Sequence, residues 1–275
     1  MQLFTVEEEY KRIQTFVNTL YPDPDSFQKV ISPELQADEL NKLKQGLRTE
    51  QFFFVVDFVT LTLSHATGLE ALGYKDDIFT FRKYLSMIPN GGMLQLITLL
   101  GKQTFRMADH TSTSFLSPKL VSNIPLQHAN GRTLLLKRTI SPWQLNQDGK
   151  ITAYLSEFVI LKEYEGEPLN PRFLDVDPVK EQAYNQIIRQ LFANLPAKQN
   201  LFSPKEMEIL RLYAADQQGS LTAKEIAQAT QTQPLTIQGY HKTILTKAKQ
   251  MFGDDLPVKT ARDVSTFLQK NRLLS

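Results

Sequence analysis

The chain reads as an α+β protein: a five-stranded antiparallel sheet with helices, preceded by N-terminal helices and followed by an all-α four-helix unit. Three observations lead there. Between Gln51 and Leu161 the apolar residues fall in short runs rich in Phe, Val, Leu and Ile, with one longer helical stretch in the middle. After Ser203 the spacing becomes helical and is punctuated by three Ser/Thr-x-x-Glu/Asp starts. Before Leu47 it is helical as well. These shifts divide the 275 residues into an N-terminal helical segment (1–48), a sheet domain (49–164), a linker with a helix (165–200) and a C-terminal helical domain (201–275).

The first helix carries Val6, Tyr10, Ile13, Val17 and Leu20 on one stripe and ends at Tyr21-Pro22-Asp23-Pro24. A second run, Ser32–Leu47, places Pro33 in its first turn and Leu35, Leu40, Leu43 and Leu47 on its apolar side. Both suit a lid on the sheet domain or a dimer contact. A membrane-surface role is disfavoured, because Glu7, Glu8 and Glu9 would be repelled by anionic lipid.

From Gln51 the pattern is that of strands. Phe52–Val56 is a buried run, and Thr60–Ser64 follows it. Short helical turns lead to Ile88-Pro89-Asn90-Gly91-Gly92, and a longer helix over Met93–Ala108 turns Leu94, Ile97, Leu100 and Phe105 inward. Three strands are expected at about Val121–His128, Thr133–Trp143 and Lys150–Leu161. The last two join across Asn146-Gln147-Asp148-Gly149, whose Asp-Gly pair is a hairpin signal. Pro168, Pro171, Pro178 and Pro196 mark the linker, in which Asp177-Pro178 opens a helix bearing Tyr184, Ile187, Ile188, Leu191 and Leu195. That stripe either docks on the sheet domain or pairs with its copy in a dimer.

The C-terminal unit opens at Ser203-Pro204-Lys205-Glu206, a capping box followed by Met207, Ile209, Leu210, Leu212, Tyr213 and Ala214. Thr222 and Glu225 form a second box, with Ile226, Ala227 and Ala229 on the inner side. The chain turns through Thr230–Gln233, and Pro234 begins a helix whose apolar back is Ile237, His241, Ile244 and Ala248, with Tyr240 beside them. Its other side shows Leu235, Gln238, Gly239, Lys242, Thr246 and Lys249. Thr260-Ala261-Arg262-Asp263 opens a fourth helix with Val264, Phe267, Leu268 and Leu273. Two short helices at a tight turn, the second apolar behind and lysine-bearing in front, have the form of a helix-turn-helix with its recognition helix.

Here the residues resemble the LuxR-type (GerE-like) DNA-binding domain. SPKEMEILRL at 203–212, KEIA at 224–227, TI at 236–237, IL at 244–245 and Lys247 match that family's signature over about the last quarter of the chain. The departures are Thr230 and Thr232 for its usual leucine and isoleucine, Gln233 for its serine cap, Gln238 for its groove-reading lysine, Tyr240 for its histidine and Ala248 for its final leucine. The resemblance implies binding to double-stranded DNA, with Gln238, Gly239 and Lys242 facing bases and Thr236 and Tyr240 touching phosphate. Thr222, Lys224, Thr246 and Lys249 complete the implied contact set. Glutamine pairs bidentately with adenine, so Gln238 changes the sequence read rather than abolishing reading.

Two strands, short helices, a longer helix and three strands are also the element order of the PAS fold. FFFVVDFVTLTLSHATGLEALGY, the Ile88-Pro89-Asn90 corner and ISPWQLNQDGKITAYLSEFVIL are similar to that family's opening, central corner and closing hairpin. This resemblance implies a sensor or dimerisation domain with room for a small molecule between the sheet and the long helix, at Phe54, Leu72, Leu100, Phe105 and Phe158. Phe52 and Phe115 join the aromatic interior. No cofactor is evident. Flavin photochemistry of this family needs a cysteine, and the chain has none. Haem would need an axial ligand from His65, His110 or His128; His110, at the end of the long helix, reads more simply as a solvated helix-end residue.

Charge and composition agree with this division. Residues 198–275 hold 11 Lys/Arg against 7 Asp/Glu, and residues 1–197 hold 20 against 22. A mildly basic tail on a mildly acidic body suits a module that meets a phosphate backbone. No stretch reaches the roughly 18 apolar residues of a membrane span, and the start does not read as a signal peptide, so a cytoplasmic address is expected. Gly-rich phosphate loops, nucleophile elbows and paired-histidine metal motifs are absent from the sequence, so no enzyme is expected. The sequence thus predicts a homodimeric, DNA-binding transcription regulator. The alternative is an interaction module whose divergent helix-turn-helix binds a protein partner.

Overall fold

The computed structural model describes residues 5–23, 27–89, 92–108, 113–175, 177–199, 202–216, 219–252, 258–270 and 274. Helix α1 (Val6–Leu20) starts on a capping box between Thr5 and Glu8 and buries Tyr10, Ile13, Phe16 and Val17. It packs on α3 (Phe81–Met87) and α4 (Gly92–Ala108), so it is a lid on the helical layer over the sheet. Helix α2 (Pro33–Gly46) begins at the Ser32 cap and covers the other face. There Leu40, Leu43 and Leu47 pack with Phe53, Val55, Trp143, Ala153 and Leu155. Leu35, expected on that apolar side, is exposed instead. Five residues from Leu40 at 3.6 residues per turn place it about 140° round the helix.

Among the described residues the sheet has six strands: β1 (Gln51–Asp57), β2 (Thr62–Thr67), β3 (Lys119–Gln127), β4 (Thr133–Leu145), β5 (Ile151–Glu163) and β6 (Arg172–Leu174). Their order is β2-β1-β5-β4-β3-β6, and every neighbouring pair is antiparallel. The first five give the PAS-like sheet that the element order predicts. The sixth corrects the expectation of five, and it comes from the segment expected to be linker. Three residues carry no readable period; β6 is held by β3 opposite Lys119–Val121 and by Asn185 of α5 (Pro178–Gln199). The Asn185 amide accepts from the Phe173 N–H at 2.8 Å and donates to the Phe173 carbonyl at 3.2 Å.

Because both faces are covered, β1 is buried along its whole middle. Phe52, Phe54 and Val56 join the helix-side core, and Phe53 and Val55 the α2 side. Phe115 also packs on the α2 side, against Trp143, rather than in the helix-side interior. The β4–β5 turn is organised by buried Asn146, whose side-chain oxygen accepts from the Asp148 and Lys150 N–H groups, and by Gly149 at φ +78°. On α5, Tyr184 and Ile188 are buried while Ile187 is exposed; the side chains of Leu191 and Leu195 lie outside the described residues.

The C-terminal unit comprises α6 (Pro204–Ala215), α7 (Ala223–Ala229), α8 (Pro234–Phe252) and α9 (Ala261–Lys270). Its core is Ile209, Leu210, Ile226, Ala227, Ile237, Ile244, Ala248, Val264 and Leu268, all buried. Ala229, expected inside, is exposed, and buried Thr230 takes the inward position. Its hydroxyl donates to the Ile226 carbonyl at 2.7 Å and bonds the Thr232 hydroxyl at 2.8 Å, so threonine closes the turn where leucine would only pack. Leu273 lies outside the described residues. Helix α8 packs on α7 and α9, and also on α4 of the sheet unit.

Candidate functional site

Helix α8 is presented by its neighbours. Ile237, Ile244 and Ala248 are fully buried along its back, which fixes its rotation about its own axis. Two polar contacts lock its height. Lys247 Nζ lies 2.6 Å from Glu206 Oε2, and that carboxylate also accepts from the Ser203 N–H at 2.6 Å, so the capping box of α6 holds α8. The Tyr213 hydroxyl lies 2.9 Å from His241 Nε2, and burial holds His241 below its usual pKa. Arg262 ties α9 to the loop before α7 through Asp216 at 2.8 Å and the Leu221 carbonyl at 2.9 Å.

With its back fixed, α8 turns Thr236, Gln238, Gly239, Lys242 and Thr246 outward, and all five are exposed. Steps of three and four put them on one face. Leu235, 79% exposed, extends the same face at the start of the helix. Tyr240 and Lys249 are half-buried at its margins. Lys224 is exposed near the start of α7, beside Thr222, whose hydroxyl is engaged with the Glu225 carboxylate at 2.7 Å as a cap. A Cβ placed on Gly239 would meet nothing within 4 Å, so nothing in the fold requires glycine there.

The sheet unit holds a cavity between β4, β5 and helix α4, with α1 and α3 completing its wall. Its empty space is about 550 Å³ with the mouth included. Apolar walls come from Ile13, Phe58, Phe81, Leu85, Ile97 and Phe105, and the polar groups are Arg138, Tyr84, Tyr154, Lys102, Thr98 and Thr104. A second lobe, whose empty space is about 450 Å³ with open solvent at its mouth included, adjoins it across Thr104, Phe105, Ile140 and Tyr154. Ser141 lines that lobe, and its buried hydroxyl has no hydrogen-bond partner among the described residues.

Of the residues expected to line a pocket, Phe105 does so. Phe54, Leu72, Leu100 and Phe158 are buried but line neither lobe. The reason is packing: Phe158 stacks on Phe52 at 4.4 Å between ring centres and contacts Phe54 at 5.1 Å, which closes that side of the interior. Among the histidines considered as haem ligands, His65 is exposed and His128 accepts from the Asn130 N–H at 3.1 Å; His110 lies outside the described residues.

Arg138 is the residue that strand patterning overlooked. It lies in mid-β4 opposite Phe158 and is only 6% exposed. Its Nε and Nη2 donate to the Ser156 hydroxyl at 3.3 and 3.0 Å, and its Cζ lies 5.3 Å from the Tyr84 ring centre. No carboxylate pairs with it among the described residues. An unpaired buried charge costs several kcal/mol, and a desolvated cation–π contact returns only about 2 kcal/mol. The Tyr84 hydroxyl beside it is buried without a hydrogen-bond partner among the described residues. Burial pushes both the Tyr84 and Tyr154 hydroxyls above their usual values, which the charge of Arg138 only partly offsets, so both remain neutral donors at pH 7. The signal was parity: Leu134, Leu136, Arg138 and Ile140 alternate onto one face of β4.

At the mouth, Lys102 of α4 lies 3.3 Å from Glu9 of α1, which is fully buried and also 3.2 Å from Arg12. Burial lowers the pKa of Lys102, and Glu9 opposes that shift. Helix α4 therefore borders the cavity on one side and packs on α8 on another.

No protein-family model and no curated protein matches the chain. Solved structures similar to it include VqmA of Vibrio cholerae in complex with ligand and DNA, at 15% identity over 86% of this chain and 92% of that one, with a TM-score of 0.29. A phage VqmA–DPO complex is similar at 14% identity over 87% and 92% of the two chains, with a TM-score of 0.27. A PAS domain from Colwellia psychrerythraea matches 46% of this chain and 97% of its own length, at 12% identity and a TM-score of 0.34. Among the described residues no helix is long and apolar enough to cross a membrane, and no cluster of His, Asp and Glu has a metal-binding arrangement.

Proposed function

We propose that this chain is a sequence-specific DNA-binding transcription regulator, a cytoplasmic homodimer whose sheet domain binds a small molecule and whose chemistry is binding rather than catalysis. The observation that carries this reading is the outward stripe of α8, held in place by a fully buried back. In the major groove Gln238, Gly239 and Lys242 meet base edges, and Thr236 and Tyr240 meet phosphate, with Thr222, Lys224, Thr246 and Lys249 flanking. Two copies related by a two-fold axis read two half-sites. The sheet domain is taken to reach Leu174, since β6 pairs with β3.

The proposed switch runs through α4. A ligand seated beneath this helix displaces it, and α8 moves with it because the two are packed together. Such a ligand shifts the balance only as far as its affinity differs between the two arrangements. Lys242→Ala tests the DNA contact. Duplex affinity should fall, and the slope of log affinity against log salt should flatten by about one unit if the ammonium that reaches the bases also neutralises a phosphate.

The exposed Leu235 on the same face favours a second reading, a protein-docking surface. That reading expects no salt-dependent DNA affinity and expects Lys242→Ala to be silent.

A further inference from the structure

We infer that the cavity beneath α4 is a carboxylate site: it takes a small organic acid with an aromatic or branched aliphatic body, anchored by Arg138 with the Tyr84 hydroxyl as a second donor. This deepens the sensor part of the proposed function and does not depend on DNA binding. Arg138 is more than nine-tenths buried, lines the cavity and has no acidic partner among the described residues; its Nε and Nη2 converge on the single hydroxyl of Ser156, and it also interacts with the neutral Tyr154 hydroxyl. A guanidinium presents five N–H donors in a planar fork, more than these neutral oxygens use, and the fork matches the two oxygens of a carboxylate.

The surroundings set the rest of the ligand. Tyr84, buried with a hydroxyl that has no partner among the described residues, lines the same cavity, as does Tyr154. Neither can accept the role of counter-ion, since both are neutral at pH 7. Lys102 is already paired with Glu9, so among the described residues that line the cavity Arg138 is the cation without an acidic partner. Around these groups Ile13, Phe58, Phe81, Leu85, Ile97 and Phe105 offer an apolar wall to the body of the ligand. A multiply charged phosphate would bring more negative oxygens than this wall can satisfy.

The test uses the full chain without DNA and reads binding by calorimetry and thermal shift. The probes are benzoate, phenylacetate and 4-methylpentanoate, each beside its neutral amide, with inorganic phosphate as a third arm, at up to about 10 mM. At least one carboxylate should bind and raise the melting temperature, while its amide and phosphate do not. Arg138→Met, which keeps the packing, should weaken that binding by roughly tenfold or more, and Tyr84→Phe should weaken it to a smaller extent. If Arg138→Met fails to fold, Arg138→Lys replaces it, with the same direction expected because the fork is lost. Equal binding of acid and amide, equal binding by the Arg138 variants, preference for phosphate, or no binding by any carboxylate overturns the assignment. Because DNA is absent, a failure here leaves the helix-turn-helix reading standing, and a failure of DNA binding leaves this one standing.

Discussion

Replacing Gly239 by alanine should move stability and recognition in opposite directions. Gly239 lies within α8 on its exposed face, and an added Cβ meets no heavy atom within 4 Å. With no clash to subtract, the substitution gains the helix propensity difference, about 0.8–1.0 kcal/mol. For a chain of this size that raises the melting temperature by roughly 2–4 °C. On DNA the sign reverses. Glycine lets the helix backbone approach a neighbouring surface closely, and a methyl group there lifts Gln238 and Lys242 away from the base edges. Good bidentate base contacts are each worth about 1–3 kcal/mol, so a partial loss should weaken duplex affinity by roughly tenfold. A circular-dichroism melt and fluorescence anisotropy with a labelled duplex measure the two effects on one preparation. A stabilised variant with unchanged affinity would refute the orientation assigned to α8, and a destabilised one would refute the absence of contact at Gly239.

Other perturbations probe the supports of the site. Glu206→Gln keeps an acceptor for the Ser203 N–H but removes the charge that holds Lys247 at 2.6 Å; it should cost about 1.5–3 kcal/mol. The helical melt should fall while the fluorescence of Trp143, in the sheet, reports the other unit; an unshifted helical melt would show the pair to be idle. Acid should destabilise the C-terminal unit through His241. Burial lowers its folded pKa below 6.5, so the unfolded chain binds the proton first, and stability is lost as pH falls below about 6.5 and through the folded value. His241→Gln should flatten the melting temperature between about pH 7.5 and pH 5 relative to wild type, and parallel curves would exclude this residue as the cause.

Much of the C-terminal unit was legible because its signals are local. Ser203, Thr222 and Thr260 each cap a helix with an acid three residues on, and all three caps form. Helical spacing then placed Ile237, Ile244 and Ala248 inside and Gln238, Gly239 and Lys242 outside. What joins Glu206 to Lys247 across 41 residues has no local signature. The cavity was harder still. Aromatic richness marks a core but does not separate rings that close on one another, as Phe52 and Phe158 do, from one that borders a void, as Phe105 does. Arg138 was readable from the alternation of β4, yet its meaning depends on its having no acidic partner among the described residues, which only the packed structure reveals. Strand β6 was illegible because its three residues are strand only by virtue of β3 and Asn185.

The central claim is that α8 reads duplex DNA, and selection from a pool of random duplexes by the full chain at two salt concentrations, with sequencing of what is retained, tests it most directly. A two-fold symmetric site enriched at low salt and lost at high salt is the predicted result. No retention at low salt, with or without a carboxylate that binds the cavity, would contradict it and leave α8 as a protein-docking surface.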